Sequence, residues 1–180
     1  GVYQILLGEI ALQRGDPDFA ARAYADLATR SRDPQVIERA VEIAGFSQRF
    51  DLGIDVARLW LEVEPESVRA RKVLTGLLIR AGKLEEAVPY LKRALDADPE
   101  ALRGNLLGLN RLFVGNTDHQ SIFQLIDKVC SAYGDLAEAH YAVAVAAASA
   151  SLAERAKDEV QQALTLAPNW DLAVLLKAQI

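Results

Sequence analysis

Apolar residues along the chain recur at i, i+3 and i+4, and strand-type alternation is not sustained anywhere. The stretch GKLEEAVPYLKRALDADP (82–99) shows the helical pattern in its cleanest form. SLAERAKDEVQQALTLAP (151–168) aligns with it without a gap. Ala87 meets Ala156, Leu91 meets Val160, Ala94 meets Ala163, Leu95 meets Leu164 and Pro99 meets Pro168. QRFDLGIDVARLWLEVEP (48–65) fits the same frame through Gly53, Ala57, Trp60, Leu61 and Pro65. The stretch from Gly15 fits through Ala20, Tyr24, Leu27 and Ala28, and that from Asn116 fits loosely through Ser121, Leu125 and Val129. The small residue of the frame falls at Ala20, Gly53, Ala87, Ser121 and Ala156, in steps of 33, 34, 34 and 35 residues. Five units at nearly constant spacing mark an internal repeat.

Each unit also has a helical segment upstream, carrying an apolar–small pair: Leu7-Gly8, Ala40-Val41, Leu74-Thr75, Leu107-Gly108 and Val143-Ala144. Two helices per unit make a hairpin. The small residues let its helices approach, and residues four and seven places on fill the interface: Tyr24 and Leu27, Ala57 and Trp60, Leu91 and Ala94. One hairpin cannot bury both its faces, so successive hairpins must stack. The expected fold is an all-α solenoid in a single array, with units 1–33, 34–66, 67–100, 101–135 and 136–168 and the first helix of a sixth at 169–180. Unit two is expected to have a shortened first helix. In unit four the apolar–small pair stands one place early, which predicts an extra residue in the loop VGNTD (114–118).

Punctuation supports these boundaries. Pro65, Pro99 and Pro168 should end helices, because a residue before proline avoids the α region. Asp33-Pro34 reads as a cap followed by a first helical residue, and Gly15 and Gly82 fall at turns within hairpins. Pro89 breaks the pattern. Inside a helix it would forfeit a bond to the carbonyl of Glu85, so a late helix start, a bend or an exposed, tolerated proline is expected.

Composition adds exclusions. Net charge is −5, from 25 acids against 20 bases, which argues against a nucleic-acid groove. Cys130 is the single cysteine, so no intramolecular disulfide can form, and with only His119 and His140 no zinc framework is legible. Cys130 is expected to be a small core-facing residue, and His119 to open the second helix of unit four beside Asp118. Phosphate loops and nucleophile elbows are missing, and acid pairs such as Glu85-Glu86 read as solvated faces. No enzyme, cofactor or metal role is expected. No apolar run reaches the roughly 18 residues needed to span a membrane. The chain has no Met and opens inside a helical pattern, so it is read as an excised or processed fragment.

The segments LLGEIALQRGDPDFAARAYADLA, LTGLLIRAGKLEEAVPYLKRALDADP and VAVAAASASLAERAKDEVQQALTLAP resemble the tetratricopeptide repeat, a ~34-residue helix-turn-helix unit. The resemblance implies a right-handed superhelix whose first helices line a concave surface that binds a peptide or protein partner. Counted onto this chain, that surface takes Val2, Ile5, Glu9 and Leu12, then Gln35, Glu38, Glu42 and Phe46. It continues with Arg69, Lys72, Ile79 and Arg80, then Leu102, Asn105, Leu109 and Phe113, then Glu138, Tyr141 and Val145. Partner-binding residues are expected among Glu38, Glu42, Arg69, Lys72, Arg80, Asn105 and Tyr141. Arg69, Lys72 and Asn105 would suit a carboxylate or acidic peptide. Ile5 and Glu9 stand where the family's chaperone-tail clamp has Lys and Asn, which disfavours that ligand.

The first half is narrower in its likeness. YQILLGEIALQRGDPDFAARAYADLATRSRDPQVIERAVEIA, with LWLEVEPESVRAR after it, resembles proteobacterial tetratricopeptide lipoproteins of the outer membrane. The resemblance implies an exported adaptor facing the periplasm, anchored through a lipidated cysteine upstream of Gly1. A second setting stays open, an interaction or regulatory domain of a larger cytoplasmic protein such as a glycosyltransferase. Self-association is also expected, through an end of the array or its groove, because Trp170, Leu172, Val174 and Leu175 leave an apolar face.

Overall fold

The computed structural model describes residues 1–180. They form eleven α-helices: α1 (Val2–Gln13), α2 (Pro17–Ser31), α3 (Pro34–Phe46), α4 (Phe50–Val63), α5 (Val68–Arg80), α6 (Leu84–Ala97), α7 (Leu102–Gly108), α8 (His119–Cys130), α9 (Ala137–Ser149), α10 (Ala153–Leu166) and α11 (Asp171–Gln179). No strand is present.

Local chemistry sets the helix starts. The side chains of Asp16, Asp33, Ser67 and Asp118 accept hydrogen bonds from the backbone N–H of Phe19, Gln35, Ala70 and Ser121, at 2.9–3.2 Å. Each satisfies an N–H that the first turn leaves without a partner. Pro17 and Pro34 occupy first-turn positions, where a missing N–H costs nothing. Gly15 and Gly82 take φ of 78° and 75° in the turns after α1 and α5, a conformation that an L side chain resists.

The chain divides into two compact units, Gly1–Lys83 and Leu84–Ile180. In the first, α1 packs on α2, α2 on α3, α3 on α4 and α4 on α5, the antiparallel stacking of a helical solenoid. Ala20, Ala28, Ile37, Ala40, Ala44, Ala57, Ala70, Leu74 and Leu78 are fully buried there. Gly8 allows the closest approach. A Cβ at that position would stand 2.6 Å from Cε2 of Tyr24, so α1 could not reach α2 with any side chain there.

In the second unit α9 is the central helix, covered by α7, α8 and α10. Alanine dominates its contacts: Ala142, Ala144, Ala146 and Ala147 are buried on α9, and Ala156 and Ala163 on α10. Polar bonds fasten this apolar seam. Asn110 Nδ2 donates to the Ala142 carbonyl at 3.0 Å, and Arg103 grips both carboxylate oxygens of Glu138. His140 lies between Glu159 Oε2 (2.6 Å) and the Gly134 carbonyl (2.8 Å). Arg155 joins Glu159 to Asp127 and lies over the Phe123 ring.

Several expectations change. The first helix of unit two is not shortened: α3 has 13 residues, as do α5 and α9. The missing length falls in the two-residue link Arg32-Asp33, where Arg32 adopts φ 54°. In unit four, α7 tightens into a 3-10 turn over Leu109–Phe113 before the loop. Leu106 on α7 and Leu109 and Phe113 on the 3-10 turn are buried, and Leu107 is half-buried. Ser121 is half-buried, and its hydroxyl donates to Asp118 in the helix cap. Ala94 is exposed, and Leu91 and Leu95 hold the inner face of α6. Pro89 stands within α6, which starts at Leu84, so there is no late start; the ring is exposed.

Candidate functional site

A cavity of about 610 Å³ opens in the first unit, between α3 and α5. One wall is acidic: α3 places Glu38 and Glu42 one turn apart, with Val41, Gly45 and Phe46 on the same side. The other wall is basic: α5 contributes Arg69 and Arg80, with Val73, Gly76 and Leu77 between them. Trp60 of α4 reaches the cavity while staying buried, its indole N–H donating to Glu64 Oε1 at 2.7 Å. Phe46 is 77% exposed at the mouth, an unusual position for a phenylalanine.

The charges on the two walls are not equally engaged. Glu38 pairs with Arg69 at 2.5 Å. Glu42 pairs with Arg39 at 2.9 Å, and Arg39 also grips Glu9 with Nε and Nη2. Tyr24 donates its hydroxyl to Glu9 at 2.6 Å. The bonds from Arg39 and then Tyr24 hold the Glu9 carboxyl below the usual range, while burial first, and Glu9 second, push the Tyr24 hydroxyl up to about 12. Arg80 has no carboxylate partner. Its guanidinium lies 4.7 Å from the centroid of the Phe50 ring.

Four of the seven expected binding residues therefore meet around one cavity: Glu38, Glu42, Arg69 and Arg80. Lys72 is exposed on α5 but does not line it. Asn105 and Tyr141 belong to the second unit. Asn105 is exposed on α7, and Tyr141 is half-buried with its ring 5.2 Å from that of Trp170. Ile79, Leu109 and Phe113, counted onto the concave surface, are buried instead, because each falls on a helix face that packs inward.

Gly45 and Gly76 were not expected in the site. Both line the cavity, and a Cβ at Gly76 would meet nothing within 4 Å. The internal fold therefore does not need a glycine there, although glycine weakens a helix interior. Gly76→Ala should raise stability by about 0.5–1 kcal/mol, read as a higher melting temperature. An unchanged or lower melting temperature would show that the position is strained.

Nucleophilic chemistry finds no support at Cys130. The thiol is buried at the end of α8, and burial, with Asp127 and Glu159 nearby, pushes it up to about 12. The native chain should resist a thiol reagent at pH 8 and react fully once denatured. Rapid native labelling would show that the helix end opens. No group of His, Cys, Asp and Glu side chains is placed to hold a metal ion, and no helix is long and apolar enough to cross a membrane.

No family model matches the chain. A TPR repeat-containing protein of Pseudomonas aeruginosa is 34% identical over 95 residues, which is 53% of this chain and 16% of that protein. The chain thus spans about one sixth of the curated relative it matches. Among solved structures, the crystal structure of MamA protein aligns over 92% of this chain and 90% of its own, with a TM-score of 0.51 at 16% identity. The chain has the tetratricopeptide-repeat fold. MamA from Desulfovibrio magneticus RS-1 agrees, covering 94% of this chain and 96% of its own at 16% identity and a TM-score of 0.50. In this fold the small residues at Ala20, Gly53, Ala87 and Ala156 have the role that the repeat spacing assigns them, since all four are buried where helices approach.

Proposed function

We propose that the chain is a non-catalytic scaffold that holds a peptide segment of a protein partner in the cavity between α3 and α5. The observation that carries this reading is the cavity itself, about 610 Å³ between two first helices, with an exposed phenylalanine at its mouth and ion-paired walls. A concave site of that size, apolar at its floor and edged by a few polar groups, suits side-chain capture. Glu38, Glu42, Arg69 and Arg80 would orient the segment, with Lys72 on the adjoining face of α5. Asn105 and Tyr141 would serve a separate contact on the second unit.

An adaptor role in the bacterial cell envelope is part of the proposal. It is supported by the likeness of ATRSRDPQVIERAVEIA to outer-membrane lipoproteins. A second setting is an interaction or regulatory domain of a larger cytoplasmic protein such as a glycosyltransferase. A photo-crosslinking residue placed at Phe46 in the native cell should capture a partner that the same residue at Lys92 of α6 does not. The captured protein's compartment would separate the two settings. Equal capture at both positions would remove the cavity from consideration.

A further inference from the structure

Three features of the cavity stand at one end of it. Gly45 and Gly76 are 31 residues apart, the same separation as the ion pair Glu38–Arg69, so they lie at one level of the two aligned helices. Each helix gives up its side chain at that level, and nothing in the fold fills the space at Gly76. Beside the gap, Phe46 projects to solvent. The Arg80 guanidinium completes the group, with Nη1 4.0 Å from where a Gly45 Cβ would be.

Charge identifies what would fill this space. Glu38 is answered by Arg69, Glu42 shares Arg39 with Glu9, and Arg80 is the one cation of the cavity lining that no carboxylate faces. Stacking on Phe50 covers one face of the Arg80 guanidinium, but the N–H donors lie in its plane and stay available. The last carbonyls of α3 and α5 do not compete for them. Those of Ile43, Ala44 and Gly45 accept from Ser47, Arg49 and Gln48, and those of Leu77, Leu78 and Ile79 accept from Ala81, Lys83 and Gly82. A carboxylate is the acceptor that answers a planar fork of this kind.

We infer that the cavity takes an internal peptide segment in which an apolar side chain stands next to a single Asp or Glu. The apolar group enters between Gly45 and Gly76 against Phe46, and the carboxylate meets Arg80. A single acid is preferred because Glu42, on the facing wall and with its Arg39 shared with Glu9, would repel a second negative charge. For the same reason a side-chain carboxylate is favoured over a chain terminus that carries an acidic residue as well. This inference rests on the reading of the cavity as a peptide site, and the test separates the two.

The probe is an array of N-acetylated, C-amidated nonapeptides with Leu, Ile, Phe or Trp at the centre and Asp, Glu, Asn, Gln or Lys next to it. Fluorescence anisotropy would be read with the full 180-residue chain. Acidic members should bind at least about tenfold more tightly than their amide counterparts, and Arg80→Gln should erase that difference. Gly76→Leu should abolish binding, its Cβ entering open space, while Gly76→Ala, which adds that Cβ alone, keeps the fold, and circular dichroism and a thermal melt check that Gly76→Leu remains folded. Free-acid versions of the best members should bind no better than the amidated ones. If binding is lost in Gly76→Leu but shows no preference for the acid, the acid inference fails and the peptide site stands. If Gly76→Leu binds normally, or no member binds below about 1 mM, the peptide site fails and the inference with it.

Discussion

Trp60→Ala should remove about 3–5 kcal/mol of folding free energy, the range found when a large buried aromatic side chain is truncated. Trp60 is 4% exposed, in the middle of α4, and its indole N–H has a partner in Glu64. Truncation loses the ring's burial and leaves a void that α3 and α5 cannot close without collapsing the cavity above it. The loss is large against the 5–15 kcal/mol that holds a typical domain together. Urea denaturation is the measurement, supported by hydrogen exchange, in which protection should fall first in α3, α4 and α5. A loss below about 1 kcal/mol would mean that Trp60 is not a packing residue. Peptide binding should fall with it, because Trp60 also lines the cavity.

The second large effect has the opposite sign of size. Ala144→Leu adds apolar surface and should still destabilise, by about 1–3 kcal/mol. Ala144 is fully buried on α9, which is covered on three sides by α7, α8 and α10. A methyl is all that Ala144 carries on a helix packed against α10, whose own buried residues are Ala156, Val160 and Ala163. The added carbons would push α10 away along its length or force an unfavourable rotamer. Ala144→Gly, measured in the same thermal melts, should lose roughly 1 kcal/mol through helix propensity. A neutral or stabilising Ala144→Leu would reveal a void in the seam.

The periodic part of the fold was legible because burial in a stacked hairpin repeats with the hairpin. Ala20, Gly53, Ala87 and Ala156 stand where the spacing put them, and the cap at Asp33 and the helix start at His119 read directly. What failed depended on tertiary context. Ala94 and Ile79 show that an alanine or isoleucine at the margin of a helical stripe can face either way. The 3-10 turn after Gly108 is set by the burial of Leu109 and Phe113, which no local propensity announces. The charged walls of the cavity were legible as helix faces. Its width was not, because Gly45 and Gly76 acquire meaning only when two helices far apart in sequence are placed at the same level.

The bonds around α9 bear on how a featureless helix knows its orientation. A cylinder of methyl groups looks much the same after a rotation about its axis or a slide along it, so alanine contacts alone would admit several settings of nearly equal energy. The Arg103–Glu138 pair, the bond from Asn110 to Ala142 and the bridge of His140 to Glu159 and Gly134 act as keys in a keyway. Any other setting leaves at least one of these groups without its partner, a cost of about 1–3 kcal/mol where water cannot replace it, as at the part-buried Asn110 and His140, and of about 1 kcal/mol or less at the exposed Arg103. The methyls supply the cohesion of the second unit, and a handful of polar atoms decide the angle at which it locks.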